Sequence, residues 1–450
     1  MILSSEFAHS VKKAYDLRSK NLDTEDAFLL GKSFGTELII QNKSSLCVCH
    51  DRRKLSENIY NSFIKGVLST GINVYKLGQV GTPVVQYMAV QKKIDAAVSI
   101  TASHNPNEYH GIKFFVENKA FSEERLTSLI NRCLEKNFEN FEEGTEHNID
   151  KTEYLARLNS IKLEGKFNIG WDLLNGCGGD IIDFLNLKGQ NIILNKEKKE
   201  DFGGFPPDPN CIERLEEIKK IEQKNEIDFA FIIDGDADRT SLLYKGNLIS
   251  GDVFLAMILY LNHQITNTKS KVIWDDISSL SIKKWCSQFS ESFFSKTGHS
   301  NIQNLAVEKD CFIAGEMSGH YMFKDHFFID DGIYSSLIFL SLLEKSNLTL
   351  DSLLQLIPKT FLKKCPNIDC VDSADKENKM NLLKKYFKEN SIHFTEFDGI
   401  KVFLEQGCLI IRSSNTESIL RVLIEGWTEK GLENMNKFVE KIYLFLSKNF

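Results

Sequence analysis

The sequence predicts an α/β protein with largely parallel sheets, divided into two to four domains and closing in a small α+β unit. Three observations predict it. Short apolar, β-branched runs alternate with longer stretches of helical periodicity through most of the chain. The length of 450 residues exceeds what one hydrophobic core supports. Three breaks interrupt the rhythm: the acidic, Asn-rich stretch Glu135 to Lys151, the segment Lys245 to Gly251, and the span from Ile357-Pro-Lys to Cys365-Pro-Asn.

The expected strands include Leu46 to Cys49, Ala96 to Thr101, Phe167 to Asp172, Phe229 to Asp234, Val272 to Asp275 and Phe312 to Gly315. Amphipathic stretches such as Glu57 to Leu68, Phe254 to Leu261 and Tyr334 to Leu343 are the expected covering helices. Beyond the third break come one helix, short strands at Lys401 to Phe403, Cys408 to Arg412 and Leu420 to Ile424, and an amphipathic helix from about Leu432. No short repeat is present, but strand, polar loop and then helix is expected to recur at T-A-S-H-N-P, D-G-D-A-D-R and G-E-M-S-G-H. Ligands gather where loops leave the carboxyl ends of strands, so chemistry is to be sought there.

Composition narrows the function. A net charge of -7 with no long Lys/Arg block argues against nucleic acid and anionic membranes, while leaving small phosphorylated substrates open. The 10 cysteines lack paired metal-site spacing, and Cys47, Cys49 and Cys311 fall in apolar runs, so buried reduced thiols are expected. The opening MILSSEFAHSVKKAYD has no apolar stretch of signal-peptide type, and no run of apolar residues is long enough to span a bilayer. A cytoplasmic location is expected, and a monomer is compatible with the pattern.

Four polar segments carry the chemistry. In Val98-Ser-Ile-Thr-Ala-Ser-His-Asn-Pro106 a strand runs into a loop stiffened by Asn-Pro, which is expected to expose the hydroxyl of Ser103 as a nucleophile. Taken alone, the same residues are an ordinary helix-capping turn, and the adjacency of His104 says nothing about facing. In Phe231-Ile-Ile-Asp-Gly-Asp-Ala-Asp-Arg239 a strand ends in carboxylates at alternate positions. Small residues between them let Asp234, Asp236 and Asp238 converge on a hard cation, which points to magnesium. An EF-hand does not fit, because a strand precedes the motif and its twelfth position is Lys245. Without a compensating cation, three crowded carboxylates repel one another.

Gly315-Glu-Met-Ser-Gly-His320 offers Glu316, Ser318 and His320 to sugar hydroxyls, although alone it reads as a turn with a solvated Glu. Ile411-Arg-Ser-Ser-Asn-Thr-Glu417 delivers a guanidinium, hydroxyls and an amide together, a mixture suited to a phosphate monoester.

In this order and separation, the segments resemble the α-D-phosphohexomutase family over nearly the whole chain. Ala14-Tyr-Asp-Leu-Arg18 is similar to the family's A-Y-D-I-R-G opening, and Trp171-Asp-Leu-Leu-Asn-Gly176 to its D-x-x-N-G segment. Thr297-Gly-His-Ser300 and Asp330-Asp-Gly-Ile-Tyr334 match as well.

The resemblance implies three related α/β domains and a C-terminal TATA-binding-protein-like α+β domain around a central cleft, here 1–149, 150–250, 251–364 and 365–450. It implies that Ser103 is the phosphoserine and that Asp234, Asp236 and Asp238, with the serine phosphate, hold Mg2+. Glu316 and Ser318 would read sugar hydroxyls, with Tyr15, His299 and His320 beside the sugar. Arg412, Ser414, Asn415 and Thr416 would grip the phosphate that is not reacting. Lys113 falls where the family carries a lysine linked to proton transfer, against the bland reading of a surface lysine. Arg18 and Arg239 would neutralise the transferring group, with His104 beside the serine. Either histidine near the sugar could equally serve as a satisfied core residue.

The implied activity is reversible phosphoryl transfer between the 1- and 6-positions of mannose or glucose phosphates, through a 1,6-bisphosphate. Glucose 1,6-bisphosphate or mannose 1,6-bisphosphate would act as activator. G-E-M-S-G-H is similar to the sugar loop of phosphomannomutase/phosphoglucomutase members, whereas phosphoglucosamine mutases usually carry G-E-Q-S-G-H. Three departures stand out: Cys49-His-Asp-Arg-Arg53 replaces G-R-D-G-R, Ser418 replaces a frequent Pro, and Trp274-Asp-Asp-Ile277 lacks the lysine expected near that strand end. Competing readings are an Asp-nucleophile phosphatase of haloacid-dehalogenase type, which also places D-x-D after a strand, and a non-catalytic phosphosugar-binding protein.

Overall fold

A computed structural model describes residues 15–414 and 418–449, organised around four sheets. The first runs edge to edge as Asp16–Ser19, His110–Val116, Ala96–Ile100, Ser45–His50, Asn73–Gln79 and Glu146–Asn148, with Lys119–Ala120 beside His110–Val116. Its centre is parallel, Leu46 aligning with both Ala96 and Val74. The second is ordered Asn247–Ile249, Thr240–Tyr244, Phe229–Ile233, Ile169–Asp172, Asn191–Leu194. The third is ordered Ser290–Ser295, Ser270–Asp275, Ile313–Gly315, Tyr321–Phe323.

Each of these sheets is mixed rather than simply parallel. The sequence segments expected to lead from strand through polar loop to helix lead instead into antiparallel strands: Ser99 pairs with Lys113, Ile233 with Thr240, and Gly315 with Tyr321. The connections are too short for the crossover that a parallel return demands, and the residues after each loop are apolar and β-forming. The motifs therefore occupy equivalent hairpin positions at the carboxyl ends of three central strands.

Side chains alternate between the two faces of the first sheet with period two. Leu46, Val48, Val98 and Phe114 pack with Phe34, Phe63 and Phe121 on one face. Cys47, Cys49, Ala97 and Phe115 face the other way and merge with Trp171 and Phe231 of the second sheet and with Trp274 and Ile313 of the third. This shared core holds the three motif-bearing strand ends at fixed relative positions.

The last unit is all antiparallel, in the order Phe361–Asp369, Ile419–Gly426, Gly407–Ser413, Ile400–Leu404, Phe394–Glu396. Helices Ser373–Glu389 and Glu429–Asn449 flank it, giving the expected α+β arrangement. Pro366 is accommodated because its strand lies at the sheet edge and shifts register between Cys365 and Ile368. Leu383, Phe387, Val402, Ile411, Val422 and Met435 form a core of its own, separate from the shared one. All 10 cysteines are unpaired, and no helix among the described residues is long and apolar enough to cross a membrane.

Candidate active site

The serine loop is built by an arginine that the sequence reading noted only as part of a departure. Asp51 and Arg53 follow strand Ser45–His50, and Asp51 Oδ2 accepts Arg53 Nε at 3.0 Å and Thr101 Oγ1 at 2.8 Å. The Arg53 guanidinium then donates to the carbonyls of Ser103, Asn105, Pro106 and Tyr109 at 2.6–3.1 Å. Five donors in a rigid fork suit such a task, and no lysine could span it. Thr101 Oγ1 accepts the amide of Ser103 at 2.9 Å.

Held this way, Ser103 has φ +53°, a left-handed conformation that costs a non-glycine residue about 1 kcal/mol and recurs at functional sites. Its side chain is not exposed as expected: Ser103 is buried, because the acidic loop of the second sheet closes over it. Oγ donates to Asp234 Oδ2 at 3.2 Å and lies 3.3 Å from His104 Nδ1. Burial, with Arg239, Arg18 and Lys113 around it, holds the His104 imidazole well below its usual pKa.

Asp234, Asp236 and Asp238 converge as the alternate spacing requires, with one oxygen from each within 4.8 Å of the others. Part of the compensation that three carboxylates need comes from the protein. Lys113 is a buried residue rather than a surface lysine, and its Nζ donates to Asp236 Oδ2 at 2.6 Å and to Asp238 Oδ2. Burial works against that ammonium, but Asp236 and Asp238 outweigh it and raise its pKa. Register explains the reach: Lys113 sits opposite Ser99 on one side and Asp16 on the other, on the face turned to the acidic loop. Thr82 Oγ1, which no motif marked, adds a 2.6 Å bond to Asp236 Oδ2.

The remaining oxygens fit a divalent cation. Asp236 Oδ1 and Asp238 Oδ1 are buried and have no hydrogen-bond partner among the described residues, while Asp234 Oδ2 faces the serine hydroxyl. Hard oxygen donors in this number and proximity suit Mg2+. Burial and then Asp238 and Asp236 push the Asp234 carboxyl well above its usual pKa, whereas Lys113 and His320 overcome burial to hold Asp238 below.

Cationic groups ring this cradle. Arg18 is tied to Asp16 at 2.7 and 2.9 Å, and its Nη1 reaches Ala102 O at 3.2 Å and Asn105 Oδ1, on either side of the serine. Arg239 Nε donates to His320 Nε2 at 2.8 Å. His320 Nδ1 lies 2.7 Å from Asp330 Oδ2, and the same oxygen pairs with His299 Nδ1 at 2.8 Å. Asp330 thus hydrogen-bonds His299 and makes a close ion-pair contact with His320, leaving His299 Nε2 buried and without a hydrogen-bond partner among the described residues. Burial alone would lower the His299 pKa, yet Asp330 raises it.

On the third sheet, Glu316 accepts Gly298 N at 3.0 Å and Ser318 Oγ at 2.7 Å. Tyr15 reaches from the first domain to donate to Thr297 O at 3.2 Å, and burial with Glu316 and Asp398 nearby pushes its hydroxyl up to about 12. Gly298 makes this approach possible, since a Cβ there would lie 1.7 Å from the tyrosine oxygen. Asp398 of the last domain accepts Thr297 N at 2.9 Å and Arg412 Nη1 at 3.3 Å. Arg412 is therefore linked through Asp398 to the loop that carries Thr297 and His299. Ser414 is buried and its amide bonds Ile419 O at 3.0 Å; Asn415 and Thr416 lie outside the described residues.

At the strand end that lacks a lysine, two other lysines arrive from elsewhere. Lys283 Nζ donates to Asp275 O at 2.9 Å and Asp276 O at 3.2 Å, and Lys401 Nζ to Asp276 Oδ1 at 2.6 Å. Both are buried. Asp275 in turn accepts Met317 N at 3.0 Å, tying this strand end to the loop of Glu316. No local signal marks these partners, because each lies on a different element.

Comparison with known proteins agrees with this arrangement. Family models described as phosphoglucomutase/phosphomannomutase match all along the chain: alpha/beta/alpha domain I at residues 10–141, domain II at 150–247, domain III at 250–361 and the C-terminal domain at 368–442. A phosphomannomutase/phosphoglucomutase of Pseudomonas putida is 28% identical, the match covering 95% of this chain and 94% of that protein. A phosphoglucomutase of Neisseria gonorrhoeae is 28% identical over 96% and 97% of the two chains. The crystal structure of a phosphoglucomutase/phosphomannomutase family protein from Burkholderia thailandensis superposes with a TM-score of 0.87 at 25% identity, covering 96% of both chains. In motifs, in four-domain architecture and in matched sequence, the chain belongs to the phosphoglucomutase/phosphomannomutase family.

Proposed function

We propose that this chain is a magnesium-dependent phosphohexomutase that moves a phosphoryl group between the 1- and 6-positions of mannose and glucose phosphates by way of Ser103. The observation that carries this reading is the 3.2 Å approach of Ser103 Oγ to Asp234 in a buried acidic cradle, with Arg18 and Arg239 around it. A phosphorylated Ser103 would present its phosphorus to a sugar hydroxyl; the ester bond to Oγ breaks as the bond to the sugar oxygen forms, and the proton lost by the sugar hydroxyl is balanced by the one Oγ takes up to become a hydroxyl again. The resulting 1,6-bisphosphate turns over and returns its other phosphate to Oγ.

When bound, Mg2+ would neutralise charge on the transferring group, held by Asp234, Asp236, Asp238 and the serine phosphate. Arg53 fixes the loop so that Oγ stays in line, and Arg18 and Arg239 add positive charge where the equatorial oxygens gather. Lys113, retained as an ammonium by two carboxylates, keeps the ligand oxygens oriented. Glu316 and Ser318 accept from sugar hydroxyls, with Tyr15, His299 and His320 beside them. Arg412 and Ser414 meet the distal phosphate, a role in which Asn415 and Thr416 would share. The unpaired cysteines fit a reducing, cytoplasmic setting.

Turnover on mannose 1-phosphate, glucose 1-phosphate and glucosamine 1-phosphate, with Mg2+ and a bisphosphate primer, tests the reading. Comparable rates on the first two and little on the third are expected. Preference for the third would make the chain a phosphoglucosamine mutase, and binding without turnover on any would make it a phosphosugar-binding protein.

A further inference from the structure

The last domain has a core separate from that shared by the other three, and polar contacts between domains tie it to the third. Two of those contacts come from one hairpin, and that hairpin encloses Arg412. Strands Phe394–Glu396 and Ile400–Leu404 are joined by Phe397-Asp398-Gly399. Gly399 has φ +100°, and a Cβ on it would lie 2.8 Å from Arg412 Cα and 2.3 Å from Ile411 O. The turn is thus pressed against the backbone of Arg412, and Asp398, one residue earlier, receives both Arg412 Nη1 and Thr297 N.

At the other end of the turn, the buried ammonium of Lys401 bonds Asp276 O at 2.9 Å and Asp276 Oδ1 at 2.6 Å. Thr297 follows strand Ser290–Ser295, and Asp276 follows its parallel neighbour Ser270–Asp275. Both anchors therefore land at the carboxyl ends of adjacent strands, beside the loop of Glu316. Asp276 stands in the stretch where the sequence lacks a lysine, and Lys401 of the last domain joins Lys283 of the third in bringing positive charge to this strand end.

We propose that Asp398 and Lys401 are positioning residues: their hairpin docks on the third domain and presents Arg412 already oriented toward the distal phosphate. The proposal rests on the reading of Arg412 as a phosphate contact. Glu425, which accepts Ser279 Oγ at 2.6 Å and Leu280 N at 2.8 Å, remains as an independent attachment, so disturbing the hairpin loosens Arg412 without releasing the domain.

The test is steady-state kinetics of the full-length enzyme on glucose 1-phosphate with Mg2+ and glucose 1,6-bisphosphate, each variant checked by thermal unfolding. Asp398→Asn and Lys401→Met are expected to raise KM roughly tenfold, the size of one charge-assisted hydrogen bond, with kcat within about threefold of wild type. Lys401→Arg is expected to restore KM. In an Arg412→Ala background, Asp398→Asn is expected to add less than about twofold, because its effect passes through the missing guanidinium. Unchanged KM in both single variants, or the same factor with and without Arg412, would overturn the proposal. An Arg412→Ala protein with unchanged KM would refute the phosphate-contact reading itself, and the proposal with it. If Asp398→Asn does not fold, the contrast between Lys401→Met and Lys401→Arg decides alone: a raised KM in the first and not the second supports the proposal, and no difference between them overturns it.

Discussion

Ser103 Oγ lies 3.2 Å from Oδ2 of Asp234, a residue 131 positions further along the chain. The two belong to hairpin loops of different sheets, and they meet because one continuous core fixes the carboxyl ends of both central strands. The contact joins a serine hydroxyl to a buried triplet of carboxylates.

Replacing Ser103 with alanine is expected to lower turnover by a factor of at least about 10³, since the covalent route disappears. Incubation with glucose 1,6-bisphosphate should leave an acid-stable phosphate on the wild type and none on Ser103→Ala. Label retained by the variant would place the ester elsewhere.

Lys113 compensates two buried carboxylates, so Lys113→Met is expected to destabilise the protein by about 3–5 kcal/mol in EDTA. Saturating Mg2+ should recover part of that loss, giving the variant a larger Mg2+-dependent gain in unfolding free energy than the wild type. Denaturant unfolding with and without the cation measures both. An equal Mg2+ effect in the two proteins would show that Lys113 and the cation do not share these acids.

Arg53 gathers the carbonyls of Ser103, Asn105, Pro106 and Tyr109. Arg53→Lys keeps the charge beside Asp51 but loses the fork, and kcat is expected to fall about hundredfold as the hydroxyl leaves its line of attack. Circular dichroism should show the fold intact. Wild-type kcat in this variant would mean that the loop is held by other contacts.

Lys283 is buried against two carbonyls, and that burial lowers its pKa from 10.5 to about 8. Between those values the unfolded chain binds more protons than the folded one, so this group makes stability rise with pH from about 8 to 10.5. The contribution approaches about 1.4 kcal/mol per pH unit. Lys283→Met should remove that slope, which the difference between wild-type and variant unfolding free energies across the range would reveal. Parallel curves would show that Lys283 keeps an ordinary pKa when folded.

The strands beginning at Ser45, Ala96 and Phe229 were legible because apolar β-branched runs bounded by turn residues are a local signal. The return strands His110–Val116, Thr240–Tyr244 and Tyr321–Phe323 were read as the way into helices, since nothing local distinguishes a hairpin return from the start of a crossover. The acid triplet was legible for a similar reason, since its alternate spacing lets three carboxylates converge, whereas Ser103 was marked by the family resemblance rather than by its own loop. Thr82, Asp398 and Lys401 were not singled out, because each acts on a residue from a distant element and sits in no motif of its own, and Asp330 was marked only by its place in a matching segment, with no partner to give it a role.

By itself, then, the sequence determined the alternation of strand and helix, the separate character of the last unit, and which polar segments bring together a hydroxyl, an acid triplet, a glycine-bounded glutamate and an arginine beside hydroxyls. Those properties follow from periodicity and from residues adjacent in the chain. Only the tertiary structure decided that Ser103 is buried, that Lys113 neutralises two of the three acids, that Arg53 shapes the serine loop, and that lysines from a helix and from the last domain converge on Asp275 and Asp276. Charge pairing in a low-dielectric interior depends on which elements pack together, and that is settled by the shared core rather than by any local run of residues.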